Sequence, residues 1–219
     1  MGNASARHAE SAHHAEKRGP SDELTELVFV LDRSGSMCGL EADTVGGYNA
    51  LLEKNRAFPG LANVSLVLFN DSAVIVHDRV DIREVRPLEA SAFEPCGCTA
   101  LLDAVGGAVR HTRMVQDNLP AAHRADHVLL AIATDGYENA SHRYGYAQVK
   151  RMLEDARERL GWEVLFMGAN IDVAAEAGRL GVDPGCAVSY EATPCGTAAA
   201  FDCLAAASAR VRSGRRARQ

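Results

Sequence analysis

No apolar run in the 219-residue sequence reaches the ~20 residues that a membrane-spanning helix needs. The first residues, MGNASARHAESAHHAEKRGPSDE, hold no apolar segment that could serve as a secretory signal. Positions 1–23 are therefore expected to be a disordered polar tail. Excess positive charge is missing as well: the formal net charge is -6, which argues against general nucleic-acid binding. Neither a GxxxxGK phosphate loop nor a GxSxG nucleophile elbow occurs. The six cysteines include no zinc-type pair with a two-residue gap; "CGC" at Cys96–Cys98 is tighter and has no matching second pair. Without a signal segment, free thiols in a reducing cytoplasm are expected rather than disulfides. His8, His13 and His14 read as part of the solvated tail rather than as a specific site. What remains is ordinary for a globular protein, with 47% hydrophobic and 24% charged residues, in a chain long enough for one domain of generous size.

Runs rich in Val, Leu, Ile and Phe alternate with helical patterns. "ELVFVLD" (Glu26–Asp32), "NVSLVLFN" (Asn63–Asn70), "AVIVHDRV" (Ala73–Val80), "HVLLAIATD" (His127–Asp135) and "WEVLFMGAN" (Trp162–Asn170) read as strands, and "CAVSY" (Cys186–Tyr190) as a short edge strand. Only Asp71 and Ser72 separate the second strand from the third, which predicts an antiparallel hairpin. Its outer edge could pair with another copy, although Asp78, Arg79 and Asp81 would oppose this. Helices are expected over Glu41–Arg56, Thr99–Asn118, Tyr146–Leu160, Val173–Leu180 and Thr197–Val211. "VGG" falls inside the first two, at Val45–Gly47 and Val105–Gly107; paired glycines there read as devices for close helix packing. The alternation predicts an α/β three-layer sandwich around a mostly parallel sheet, with its functional crevice beyond the carboxyl ends of the strands. The domain is expected over 24–210, followed by an arginine-rich basic tail over 211–219.

The first strand ends in "LDRSGSM", with Asp32, Ser34 and Ser36 at alternate positions around a glycine. A helix cap needs one such oxygen and leaves Asp32 unexplained. A phosphate cradle would not carry a carboxylate, and an EF-hand needs more acids and a Glu at its twelfth position. A magnesium-type site fits better, because Mg²⁺ takes about six oxygen ligands and keeps some waters. Thr99, at the start of the second long helix, and Asp135, just past a buried strand, can supply further donors.

This D-x-S-x-S run, a distant Thr and a strand-terminal Thr-Asp-Gly together resemble the von Willebrand factor A (vWA) domain family. The likeness covers about Leu27 to Ala209. "DRSGSM…GGYNALL", "GCTALLDAVGG", "TDGYENAS" and "FMGANID" are similar to small stand-alone bacterial proteins of that family. The resemblance implies a Rossmann-like, doubly wound six-stranded sheet in the order 3-2-1-4-5-6 with one antiparallel edge strand. It also implies a metal ion-dependent adhesion site (MIDAS) built from Asp32, Ser34, Ser36, Thr99 and Asp135, holding Mg²⁺, with Mn²⁺ or Ca²⁺ as alternatives.

Three hydroxyls neutralise none of the ion's charge, so a vacant position would favour a Glu or Asp of a protein partner, as the resemblance also implies. That partner could belong to an ATPase or chaperone complex. Arg33, Glu138, Asn139, Asn170 and Asp172 are candidate rim residues, although each could equally be a turn former or cap. The competing class is a metal-dependent hydrolase, with His142 as the one histidine placed to serve the metal face. A third is a scaffold in which the metal only fixes the loops.

Overall fold

The computed structural model describes residues 23–214; the expectations for positions 1–22 and 215–219 lie outside them. Eleven main elements follow one another: β1 (Leu24–Asp32), α1 (Glu41–Arg56), β2 (Leu61–Phe69), β3 (Ala73–Asp81), α2 (Leu101–Asn118), β4 (His127–Thr134), α3 (Tyr146–Glu158), β5 (Glu163–Gly168), α4 (Val173–Leu180), β6 (Ala187–Ser189) and α5 (Pro194–Arg212). The strands form one sheet in the order β3-β2-β1-β4-β5-β6. All pairings are parallel except β2 with β3. This is the order implied by the resemblance. No helix among the described residues is long and apolar enough to cross a membrane.

β1 is buried along its whole length because helices cover both faces of the sheet. Leu27, Phe29 and Leu31 pack with Tyr48, Leu51 and Leu52 of α1 and with Phe201 and Leu204 of α5. Val28 and Val30 point the other way, toward Leu101, Val105 and Val109 of α2 and Val149 and Leu153 of α3. β1 has β2 on one side and β4 on the other, and the chain leaves it over one face and reaches β4 over the opposite face. The carboxyl ends of β1 and β4 therefore flank the point where the winding reverses.

β3 makes the edge in an unexpected way. Arg79 does not project from it. Its backbone is left-handed (φ 52°), its N–H donates to Ser65 Oγ (3.0 Å) and its Nε donates to Glu26 (2.8 Å). Glu26 is fully buried in β1, and burial raises its pKa while Arg79 opposes that rise. A register shift between β2 and β3 accompanies this inward turn.

The carboxyl end of the fold also differs from expectation. α5 begins three residues early, at Pro194, because Thr193 caps it through Gly196 N–H and proline is tolerated in a first turn. It then runs to Arg212, one residue past its expected end. Arg212 is buried, and its guanidinium donates to the carbonyls of Asn55 in the last turn of α1 and of Phe58 (3.1 Å) and Gly60 (2.9 Å) after it. What the composition marks as basic tail begins as a clamp on the loop into β2.

The two glycine pairs divide their work. A Cβ at Gly47 would overlap the Phe201 ring, and one at Gly106 would lie 2.7 Å from Tyr144 Cγ. At Gly46 and Gly107 a Cβ meets nothing. Only one glycine of each pair is a packing device. Gly47→Ala and Gly106→Ala should therefore destabilise the protein by about 1–3 kcal/mol through overpacking. Gly46→Ala and Gly107→Ala should stabilise it by up to about 1 kcal/mol through helix propensity. Urea unfolding of the four variants would check this; equal effects within a pair contradict the division.

Candidate metal centre

β1 delivers Asp32 to the sheet's carboxyl edge. Its Oδ1 accepts the Ser34 N–H (2.7 Å) and its Oδ2 accepts the Thr134 hydroxyl from the end of β4 (2.6 Å). The chain then turns through a short 3₁₀ segment, Gly35–Met37, which brings Ser36 Oγ to 3.0 Å from Ser34 Oγ. Ser36 donates in turn to Asp135 Oδ1. A chain of hydrogen bonds thus links Thr134, Asp32, Ser34, Ser36 and Asp135 across the ends of two adjacent strands.

Thr99 reaches the same place from a third segment. A Cβ built on Gly136 would sit 3.2 Å from Ser36 Oγ and 3.3 Å from Thr99 Oγ1, so the two hydroxyls flank one point. Asn139 holds Thr99 there: its Oδ1 accepts the Thr99 N–H (2.8 Å), and its own N–H donates to the Thr99 carbonyl (3.0 Å). On the other side, Cys96 N–H donates to the Arg33 carbonyl and Gly35 N–H to the Gly97 carbonyl, both at 3.1 Å. Gly97 is left-handed (φ 75°), and a Cβ on it would overlap the Asp71 carboxylate. Only glycine lets the loop before Thr99 close onto the Asp32 turn.

Asp32, Ser34, Thr99 and Asp135 are buried, whereas Ser36 is exposed. The cluster is therefore open to solvent on the Ser36 side. Burial raises the pKa of Asp32, against the hydrogen bonds of Thr134 and Ser34, and the nearby Asp135 charge raises it further. Burial likewise raises that of Asp135, against the Ser36 hydrogen bond. Asp135 Oδ2 is buried and accepts no hydrogen bond from any donor among the described residues. A buried carboxylate oxygen with no partner is costly, and a cation beside it removes that cost. No cluster of three or more His, Cys, Asp or Glu side chains suited to a metal occurs among the described residues. This centre has two carboxylates, and hydroxyls make up the rest. An all-oxygen set of this kind suits Mg²⁺, Mn²⁺ or Ca²⁺ rather than a thiophilic ion.

Two participants escape a motif-based reading. Thr134 locks Asp32, and Tyr190 lines the small internal space beneath Asp32 together with Met37, Thr44 and Thr197. Burial raises the Tyr190 pKa strongly, and the charges of Asp135 and Asp32 add to that, so it faces the carboxylates as a neutral phenol. The Thr immediately before Asp135 was the available signal for the first; nothing local marked Tyr190.

The candidate rim residues divide. Arg33 donates to the Ala92 carbonyl (3.3 Å). Glu138 is fully engaged: it accepts the N–H groups of Leu102 (2.8 Å), Ala140 (2.9 Å) and Ser141 (2.7 Å) and the Ser141 hydroxyl (2.7 Å). Asp172 caps α4 by accepting Ala175 N–H (3.0 Å), and its own N–H donates to Tyr137 (2.9 Å). Asn170 is exposed in a left-handed turn (φ 55°), a conformation asparagine tolerates. His142 is exposed, and its backbone N–H donates to Asp103 of α2 (3.0 Å).

No protein-family model matches the chain, and no curated protein matches it in sequence. Solved structures do match in shape. The vWF domain of the type V pili tip protein Mfa5 from Porphyromonas gingivalis is 13% identical, with a TM-score of 0.61 over 90% of this chain and 98% of that one. The chain has the von Willebrand factor A fold. A von Willebrand factor type A protein from Catenulispora acidiphila is 16% identical (TM-score 0.56, 86% of this chain and 43% of that one). Proximal thread matrix protein 1 from the mussel byssus, with a zinc-occupied MIDAS motif, is 14% identical (TM-score 0.58, 87% and 46%). The chain spans less than half the length of these last two.

The raised carboxylate pKa values set a sign for the metal-free protein. A group whose native pKa exceeds its unfolded value contributes stability below the unfolded value and loses it as pH rises through the native one. With both native pKa values raised above the ordinary 3.8, Asp32 and Asp135 should contribute more stability to the metal-free protein as pH falls toward 3.8. Saturating Mg²⁺ should cancel that part of the gain, and Asp135→Asn should reduce it. Urea midpoints with EDTA and with Mg²⁺ test this; identical pH profiles in the two would contradict a cation at these carboxylates.

Proposed function

We propose that this chain is a metal-dependent protein-binding module. Asp32, Ser34, Ser36, Thr99 and Asp135 would hold a divalent cation, Mg²⁺ by preference and Mn²⁺ or Ca²⁺ as substitutes, and a Glu or Asp of a partner protein would complete its ligand shell. The observation that carries this is the buried Oδ2 of Asp135, without a partner among the described residues, in a cluster with three hydroxyls brought from two segments. The vWA fold is consistent with it, and so is the description of one structural neighbour as a MIDAS with zinc bound.

The bound cation would supply electrostatic attraction for an incoming carboxylate; the chain positions and screens. Each Asp32 oxygen already accepts one hydrogen bond, and a carboxylate retains further lone pairs. The serine and threonine hydroxyls add donors without adding negative charge. Two carboxylates therefore balance a divalent ion and no more. The starts of α1 and α2, after the Asp32 turn and Thr99, add positive dipole ends. Glu138 and Asn139 act behind the site by holding Thr99 and the α2 start rather than by meeting the partner. A reducing cytoplasm is part of the proposal and suits six free thiols, four of them exposed. An ATPase or chaperone subunit is the partner class to examine first.

The test is calorimetric titration with Mn²⁺, followed by capture of a glutamate-bearing peptide with and without the ion. Asp32→Ala, Asp135→Asn and Thr99→Ala should each weaken metal binding by about tenfold or more, and peptide capture should fail in EDTA. Refusal of every divalent ion at millimolar concentration, or capture indifferent to EDTA, would overturn the reading. Metal-dependent phosphoester hydrolysis lost in His142→Ala would move it to the hydrolase class.

A further inference from the structure

Three cysteines flank the metal-site loops and have no part in the reading above. Cys38 follows the Gly35–Met37 turn; Cys96 and Cys98 precede Thr99. All three are exposed free thiols. The two segments that carry them are joined by the Cys96–Arg33 and Gly35–Gly97 backbone hydrogen bonds. Across that seam Cys38 Sγ lies 3.9 Å from the Pro95 carbonyl oxygen, on the peptide unit that leads directly into Cys96. Asn70 Nδ2 donates to Cys96 Sγ at 3.3 Å and fixes that sulfur's orientation. The Cys98 N–H is turned instead toward Asp71 of the β2–β3 hairpin (3.1 Å).

We propose that Cys38 and Cys96 form a redox-sensitive pair, and that their oxidation to a disulfide disables the metal centre one turn away. The oxidant is hydrogen peroxide. The Cys96 sulfur attacks one peroxide oxygen, the O–O bond breaks, and Cys96 becomes a sulfenic acid as the first water leaves. The Cys38 sulfur then attacks the sulfenic sulfur, the S–O bond breaks, and the disulfide forms as the second water leaves. Two electrons pass from the thiols to the peroxide, and the two thiol protons end in the waters.

The consequence for the site is mechanical. Both sulfurs are free and Cys38 Sγ rests against the Pro95 carbonyl oxygen, so closing an S–S bond of about 2.05 Å draws Cys38 off that contact toward the Cys96 sulfur. Cys38 ends the same short turn that carries Ser36, so the Ser36 hydroxyl moves off Asp135. Only this consequence rests on the metal-binding reading; the cysteine pairing does not.

The experiment treats the full chain with hydrogen peroxide in slight excess, counts remaining thiols and maps bridges by non-reducing peptide mass spectrometry. The expected result is a loss of two of the six thiols, a peptide pair joining Cys38 to Cys96, and reversal by dithiothreitol. Cys98→Ser should leave the bridge intact, whereas Cys38→Ser should strand Cys96 as a sulfenic acid trapped by dimedone. Mn²⁺ affinity should fall by about tenfold on oxidation and recover on reduction, the scale expected when a ligand's support is disturbed. A Cys96–Cys98 bridge, a bridge between molecules, or no bridge overturns the pairing, and a Cys38–Cys96 bridge with unchanged Mn²⁺ affinity overturns its effect on the site. Bridge mapping needs no metal, so it decides the pairing even for a protein that binds no Mn²⁺, a result that would count against the proposed function instead.

Discussion

Two aspartates lie buried at the carboxyl ends of neighbouring parallel strands, and this constraint organises the upper edge of the molecule. Burial alone would drive both toward their neutral forms, and the Asp135 charge adds to the difficulty of Asp32. The chain answers with donors. Thr134 and Ser34 serve Asp32, and Ser36 serves one oxygen of Asp135. The remaining oxygen of Asp135 has none among the described residues. The hydroxyls that crowd this point bring no charge of their own, so an uncompensated negative field persists at one solvent-open corner.

The surrounding loops are stiffer than their lack of regular structure implies. Asp71 occupies the space that a Gly97 side chain would need; Asn139 clasps Thr99 at both its N–H and its carbonyl; Asp103 accepts three successive N–H groups, from His142 to Tyr144. Carboxylates and amides that look like surface recognition groups are occupied in holding one loop against another. On the proposed function, recognition would therefore rest on the metal centre rather than on its perimeter. This is why a partner's acid, and not a constellation of rim contacts, is the feature the proposal depends on.

The fold was legible in the sequence to the extent that burial on both faces produces unbroken apolar runs. β1, β4 and β5 stand out for that reason, and the Asp-Ser hairpin announced the antiparallel edge. Residues whose role depends on distant partners were not legible. Arg79 reads as an edge charge until Glu26, far away in sequence, is seen buried beneath it. Arg212 reads as tail until the carbonyls after α1 surround it. The glycine pairs look equivalent along the chain, yet Phe201 and Tyr144 distinguish their members. At the site, the spacing of Asp32, Ser34 and Ser36 was local and visible. Tyr190 was not, since it enters from the short edge strand on the far side of β5.

The same asymmetry explains why the candidate rim residues separated as they did. A short acid or amide just after a strand has two calls on it, the exposed N–H groups of the next helix and whatever lies in solution. The helix is nearby and always present, so Asp172 caps α4 and Glu138 caps the start of α2. Asp135 escapes that fate because the helix that follows it, α3, starts only at Tyr146. Its loop is instead pinned by Glu138 and Asn139 to the start of α2, which leaves the Asp135 carboxylate facing Ser36 rather than a helix end. A strand-terminal carboxylate oxygen remains available for a cation when no nearby donor claims it, and Asp135 Oδ2 meets that condition among the described residues.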